Sequence, residues 1–111
     1  MTSEGESLVI ELGTIRSSAQ LLQLLNQTLA LGESPGGGAD WNTLCDSFTY
    51  LGTGGVWGNG RKFLFPLHFN FTGSDLCRRA DPAGFSMLSV TLESTRAFYL
   101  RNRIGFSYEF S

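Results

Sequence analysis

Residues 85–103 read Phe85-Ser86-Met87-Leu88-Ser89-Val90-Thr91-Leu92-Glu93-Ser94-Thr95-Arg96-Ala97-Phe98-Tyr99-Leu100-Arg101-Asn102-Arg103, and the fold class turns on them. Leu88, Val90 and Leu92 alternate with Ser89, Thr91 and Glu93, which is the period of a half-buried strand. Leu88, Leu92, Phe98 and Tyr99 also fit one side of a helix of about five turns. As a helix, the stretch is a crossover between parallel strands. As strand and hairpin, it makes the C-terminal half antiparallel and the fold α+β.

The neighbours of this stretch are easier to read. After Gly105, Phe106-Ser107-Tyr108-Glu109-Phe110 alternates as a strand. Before it, 75–84 is rich in turn residues and has room for a short helix over 75–80. Phe63-Leu64-Phe65-Pro66-Leu67-His68-Phe69-Asn70-Phe71 reads as a strand, with Pro66 confined to its start or to an edge because proline cannot donate to a ladder. Gly52–Gly60 and the segment 33–39, Glu33-Ser34-Pro35-Gly36-Gly37-Gly38-Ala39, read as flexible connections. Between them Trp41, Leu44, Cys45 and Phe48 fall on one side of a helix over 41–50, with Asp40 as its N-cap. Leu21, Leu22, Leu25 and Leu29 predict a helix over 18–31, opened by a capping box at Ser17 and Gln20. Leu8-Val9-Ile10-Glu11-Leu12 reads as a buried strand. Strands separated by helices favour an α/β fold with a small parallel sheet and right-handed crossovers.

The chain has 111 residues, 41% hydrophobic and 13% aromatic, which suits one domain with its own core and argues against disorder. No apolar run reaches the roughly 18 residues of a membrane span. The acidic start carries no export signal, so a cytoplasmic protein is expected, with Cys45 and Cys77 as free thiols. The net charge of −2 conceals an asymmetry: residues 1–60 sum to −5 and residues 61–111 to +3. Ser17 to Gly60 contains no Lys, Arg or His. Such a field attracts a basic partner and repels nucleic acid.

Catalytic chemistry finds little footing. His68 is the single histidine and lies in the most apolar predicted strand, and nothing in the spacing brings Cys45, Cys77 or Ser86 to it. One His and two distant Cys do not make a metal site, and Gly52–Gly60 lacks the ending of a phosphate loop. No enzyme, cofactor or metal is therefore expected. Asp40 and Asp46 suit binding better than shared proton chemistry. Arg78, Arg79, Arg96, Arg101 and Arg103, with Phe98 and Tyr99 nearby, leave an RNA-binding module as the alternative reading. The glycine-rich segment and the helix after it form an acidic, adaptable surface. Trp41 there is either a core residue or an interface anchor.

Three stretches together carry a family resemblance: Ile15-Arg16-Ser17, Leu29-Ala30-Leu31, and Gly38-Ala39-Asp40-Trp41-Asn42-Thr43-Leu44-Cys45-Asp46-Ser47-Phe48. With Pro66-Leu67, Ser86-Met87-Leu88-Ser89-Val90 and a terminal strand ending at Ser111, the chain resembles the barstar family, intracellular inhibitors of barnase-type ribonucleases, and related toxin-immunity proteins. The resemblance spans most of the chain, with about ten extra residues near 52–62 and a longer last helix. It implies a single domain, a three-stranded parallel sheet packed by three or four helices, and a loop and second helix that plug a nuclease active site. The implied partner is a basic, secreted or toxin-type ribonuclease, bound by a monomer or in a one-to-one complex, without nucleic acid or membrane.

By the same resemblance Asp46 matches the central inhibitory carboxylate, which stands where a substrate phosphate would. Glu93 falls on a second acidic contact and Gly38 on a loop glycine that approaches the enzyme. The implied contact set is Gly36, Gly37, Gly38, Asp40, Trp41, Asn42, Cys45, Asp46 and Glu93. Three departures point to a different nuclease partner. The family's Asn and first Asp appear as Asp40 and Asn42, its loop aromatics are replaced by Gly36-Gly37, and Cys45 stands where an aromatic contact often occurs.

Overall fold

The computed structural model describes residues 5–29, 41–55 and 58–111. The order is β1 (Glu6–Glu11), α1 (Ser18–Leu29), α2 (Trp41–Phe48), β2 (Leu67–Thr72), α3 (Ser74–Ala80), α4 (Pro82–Arg101) and β3 (Phe106–Phe110). The strands form one parallel sheet in the order β1-β2-β3, with Glu6 opposite Leu67 and Leu67 opposite Phe106. This is the α/β architecture expected.

Residues 85–103 resolve in favour of the helix. α4 begins with Pro82 in its first turn, where the missing N–H costs no bond, and Asp81 caps it by accepting from the Gly84 N–H at 3.1 Å. The buried positions are Gly84, Leu88, Thr91, Leu92, Thr95 and Tyr99, a helical spacing. The alternation Leu88-Val90-Leu92 does not describe burial, because Val90 is 60% exposed. α1 opens as a capping box displaced by one residue: Ser17 Oγ accepts from the Gln20 N–H, and Gln20 Oε1 reaches back to the Arg16 N–H. It runs to Leu29; residues 30 and 31 of the expected helix lie outside the described residues.

Three expectations need correction. The strand expected over 63–71 occupies Leu67–Thr72, because β2 is central and Pro66, which has no N–H, stands immediately ahead of it. Phe63 instead donates its N–H to the Leu51 carbonyl. The helix expected over 41–50 ends at Phe48, followed by turns closed on Asp46, Ser47 and Tyr50 carbonyls. β1 is not buried on both faces: Ile10 is buried, but Val9 is 67% exposed.

The reason lies in the topology. With strands in the order 1-2-3, two right-handed crossovers put their helices on the same face of the sheet. That face buries Ile10, Leu67, Phe69, Phe71 and Phe106, with Phe69 in edge contact with Phe48, Phe63, Phe71 and Phe106. The other face carries Ser7, Val9 and Glu11, then His68, Asn70 and Thr72, then Ser107 and Glu109, with none of them buried. The glycine-rich Gly52–Gly60 stretch, expected to be flexible, is tied in its described part by Gly60 N–H to Gly54 and Gly55 N–H to Tyr50.

Candidate functional site

α2 is the described part of the surface that the sequence singles out; Gly36, Gly37, Gly38 and Asp40 lie outside the described residues. Its eight residues bury Leu44, Ser47 and Phe48, which fixes what faces outward. Asn42 and Asp46, four residues apart, share one exposed side. Trp41 is half-buried and packs on the core, so its ring is first a packing residue with one side still accessible. Cys45 is a half-buried free thiol.

The C-terminal end of α2 is clasped by α4. Tyr99 is buried, its hydroxyl donating to the Phe48 carbonyl at 2.6 Å and accepting from the Leu51 N–H at 3.3 Å. The Phe48 carbonyl is one of the last four that a helix leaves without an internal partner. Burial pushes the Tyr99 pKa up to about 12, against a smaller lowering by the Leu51 N–H. The sequence placed Tyr99 on a helix side and beside the arginines of the RNA-binding alternative; its burial takes it out of base stacking, and its hydrogen-bond partners, 48 and 51 positions away, could not be read from the chain. Tyr50, half exposed just beyond α2, also escaped the sequence reading; its signal was an aromatic four residues after Asp46.

The carboxylates divide sharply by what they touch. Glu6 pairs with Arg61, Asp75 with Arg78 and Glu93 with Arg96, while Glu109 Oε1 lies 3.4 Å from His68 Nε2, an ion pair when that imidazole is protonated. Asp81 caps α4 and accepts from the Ser18 hydroxyl at 2.7 Å. Among the described residues, only Asp46 and Glu11 have side-chain carboxylates with no hydrogen bond or ion pair within the chain. The Asp46 backbone carbonyl is occupied, taking the Thr49 N–H at 3.1 Å and its hydroxyl at 2.7 Å, so the side chain stands on a fixed turn.

Glu93 differs from Asp46 in this respect. It is exposed on α4, bonded to Arg96 at 2.9 Å and accepting from the Tyr108 hydroxyl of β3. The Arg96 hydrogen bond and then that of Tyr108 hold its carboxyl below the usual range. Burial, then the bond to Glu93, pushes Tyr108 up to about 12. Of the five arginines in the RNA-binding alternative, Arg78 and Arg96 are thus committed to ion pairs.

His68 lies in the sheet as expected, but on its uncovered face. Its Nδ1 is 2.7 Å from Ser107 Oγ and its Nε2 is 3.4 Å from Glu109 Oε1. Among the described residues no three His, Cys, Asp or Glu side chains come together as a metal site. No helix among them is long and apolar enough to cross a membrane. A scan against protein-family models finds no match, and no curated protein matches the chain.

Proposed function

We propose that this chain is a cytoplasmic immunity protein that inhibits a ribonuclease toxin by occluding its active site with α2 and the segment before it. One observation carries the reading: Asp46 presents an exposed carboxylate with no hydrogen bond or ion pair among the described residues, in a stretch from Ser17 to Gly60 devoid of basic residues. A carboxylate so placed suits a basic pocket built for a phosphate, and the acidic half would speed encounter with a basic enzyme. Asn42 flanks it at one helical turn, and the accessible side of Trp41 and the half-exposed Cys45 extend the contact. The three-stranded parallel fold is the one the barstar resemblance implies, which adds support from outside the site. Glu93, already engaged by Arg96 and Tyr108, is a secondary contact in this reading.

The test is co-expression with basic ribonucleases of the barnase type, toxin-linked ones included, followed by inhibition assays with wild-type and Asp46→Ala protein. Truncating a buried interfacial charge costs about 2–5 kcal/mol, or about 30- to 5,000-fold in affinity. Inhibition unchanged by Asp46→Ala would remove α2 from the site. The RNA-binding alternative rests on Arg79, Arg101 and Arg103, which have no ion pair among the described residues. Salt-sensitive retention of RNA in filter binding would favour it over inhibition.

A further inference from the structure

Strand pairing sets a serine and a carboxylate beside the two ring nitrogens of the single histidine. β2 and β3 are parallel with His68 opposite Ser107, so Ser107 and Glu109, two residues further on, share the uncovered face with it. His68 Nδ1 lies 2.7 Å from Ser107 Oγ, and Nε2 lies 3.4 Å from Glu109 Oε1. Spacing along the chain offers His68 no nucleophile; the sheet brings one from 39 positions away.

The carboxylate decides which nitrogen is the base. Neutral imidazole carries one ring proton, and the negative charge of Glu109 beside Nε2 favours the tautomer with the proton there. Nδ1 then keeps its lone pair and accepts from the Ser107 hydroxyl at an ordinary hydrogen-bond length. A nucleophile within reach of a base, with a third group orienting that base, is the arrangement that activates serine toward an acyl carbon. Ser7, Pro66, His68 and Ser107 border an open cavity of about 300 Å³ beside this row. That is at the small end of ligand sites and suits a short acyl group.

We infer that Ser107, His68 and Glu109 form an acyl-transfer site that hydrolyses small activated carboxylic esters through an acyl group held on Ser107. Ser107 Oγ bonds to the ester carbonyl carbon as its proton passes to His68 Nδ1. The carbon–oxygen bond to the leaving alcohol then breaks, and the alcohol departs with that proton. Water attacks the acyl carbon by the same route, giving its proton to Nδ1, which returns it to Ser107 Oγ as the carboxylic acid leaves. Glu109 touches no substrate; it is a positioning residue. Exposed to solvent, the site stabilises a developing oxyanion little better than water does, so good leaving groups such as phenolates are the ones it handles. The inference does not rest on the inhibitor reading, whose residues lie on other elements.

Incubation of the full chain with p-nitrophenyl acetate tests it, following nitrophenolate release and mapping the acetyl group by mass spectrometry after acid quenching. The expected result is release faster than an equal concentration of free imidazole gives, with the acetyl group on Ser107. Ser107→Ala and His68→Asn should each lower kcat/KM by about 100-fold. Their thermal melting should stay near wild type, because neither side chain is buried. Glu109→Gln should lower kcat at unchanged KM, as expected when the base loses its orientation and the cavity is intact. Release no faster than imidazole gives, or an acetyl group confined to Lys62 or His68, overturns the inference. So does a Ser107→Ala or Glu109→Gln variant as active as wild type.

Discussion

Removing one oxygen atom, in Tyr99→Phe, tests how the helix bearing Asp46 is held. The ring stays in place, packed against Phe65, Phe98 and Phe106, so no cavity of consequence opens. Two buried backbone groups lose their partner: the Phe48 carbonyl at 2.6 Å and the Leu51 N–H at 3.3 Å. Each stranded group costs about 1–3 kcal/mol, less for the longer bond, so a total of about 2–4 kcal/mol is expected. For a domain of this size that is a fall in Tm of about 8–16 °C. Urea unfolding followed by tryptophan fluorescence measures it, with an unchanged denaturant slope confirming that the unfolded state is the same. The variant also has a signature in pH. An unfolded tyrosine ionises near pH 10, whereas folded Tyr99 keeps its proton to about 12. Its contribution is therefore complete below pH 10 and lost as pH rises from about 10 to 12, and the Phe variant should lack this share of the alkaline decline. A loss below about 0.5 kcal/mol would refute the reasoning, because two buried groups cannot both go unpaired so cheaply.

Other perturbations follow from the same contacts. Asp81→Ala removes the cap of α4 and the acceptor of the Ser18 hydroxyl, and should lower stability by about 1–2 kcal/mol in urea, with Asp81→Asn milder because it keeps an acceptor. Gly73→Ala should cost more than about 1 kcal/mol: the residue sits at φ 68°, and a Cβ there would lie 2.6 Å from the Gly13 nitrogen. Asp46→Ala should change stability by less than about 0.5 kcal/mol, since the carboxylate bonds nothing among the described residues; a larger loss would make Asp46 structural and weaken the inhibitor reading. In thiol titration with Ellman's reagent at mildly alkaline pH, Cys45 should react in the native protein and Cys77 only after unfolding, because Cys77 is buried and its pKa is raised, first by burial and then by Asp81.

Much of this was legible in order along the chain. The leucines of α1, the Leu44/Phe48 side of α2 and the alternation of β3 announce themselves because each element buries a regular fraction of its own residues. The acidic stretch from Ser17 to Gly60 and the position of Asp46 within it are likewise properties of the chain. Three matters needed the folded molecule. Residues 88–92 satisfy both periods; the helix starts upstream of them, at the Asp81 cap on Gly84, and the Ser18 bond that holds Asp81 forms only once α1 lies against α4. β1 reads as buried, yet Val9 faces outward because both crossovers fall on one side of the sheet. Asp46 and Glu93 both read as acidic contacts on helices; Glu93 takes Arg96 from its own helix and the Tyr108 hydroxyl from β3, whereas Asp46 has no side-chain partner among the described residues. Local periodicity records which residues want to be buried. Which of them find a cover depends on groups tens of positions away and is decided only when the layers meet.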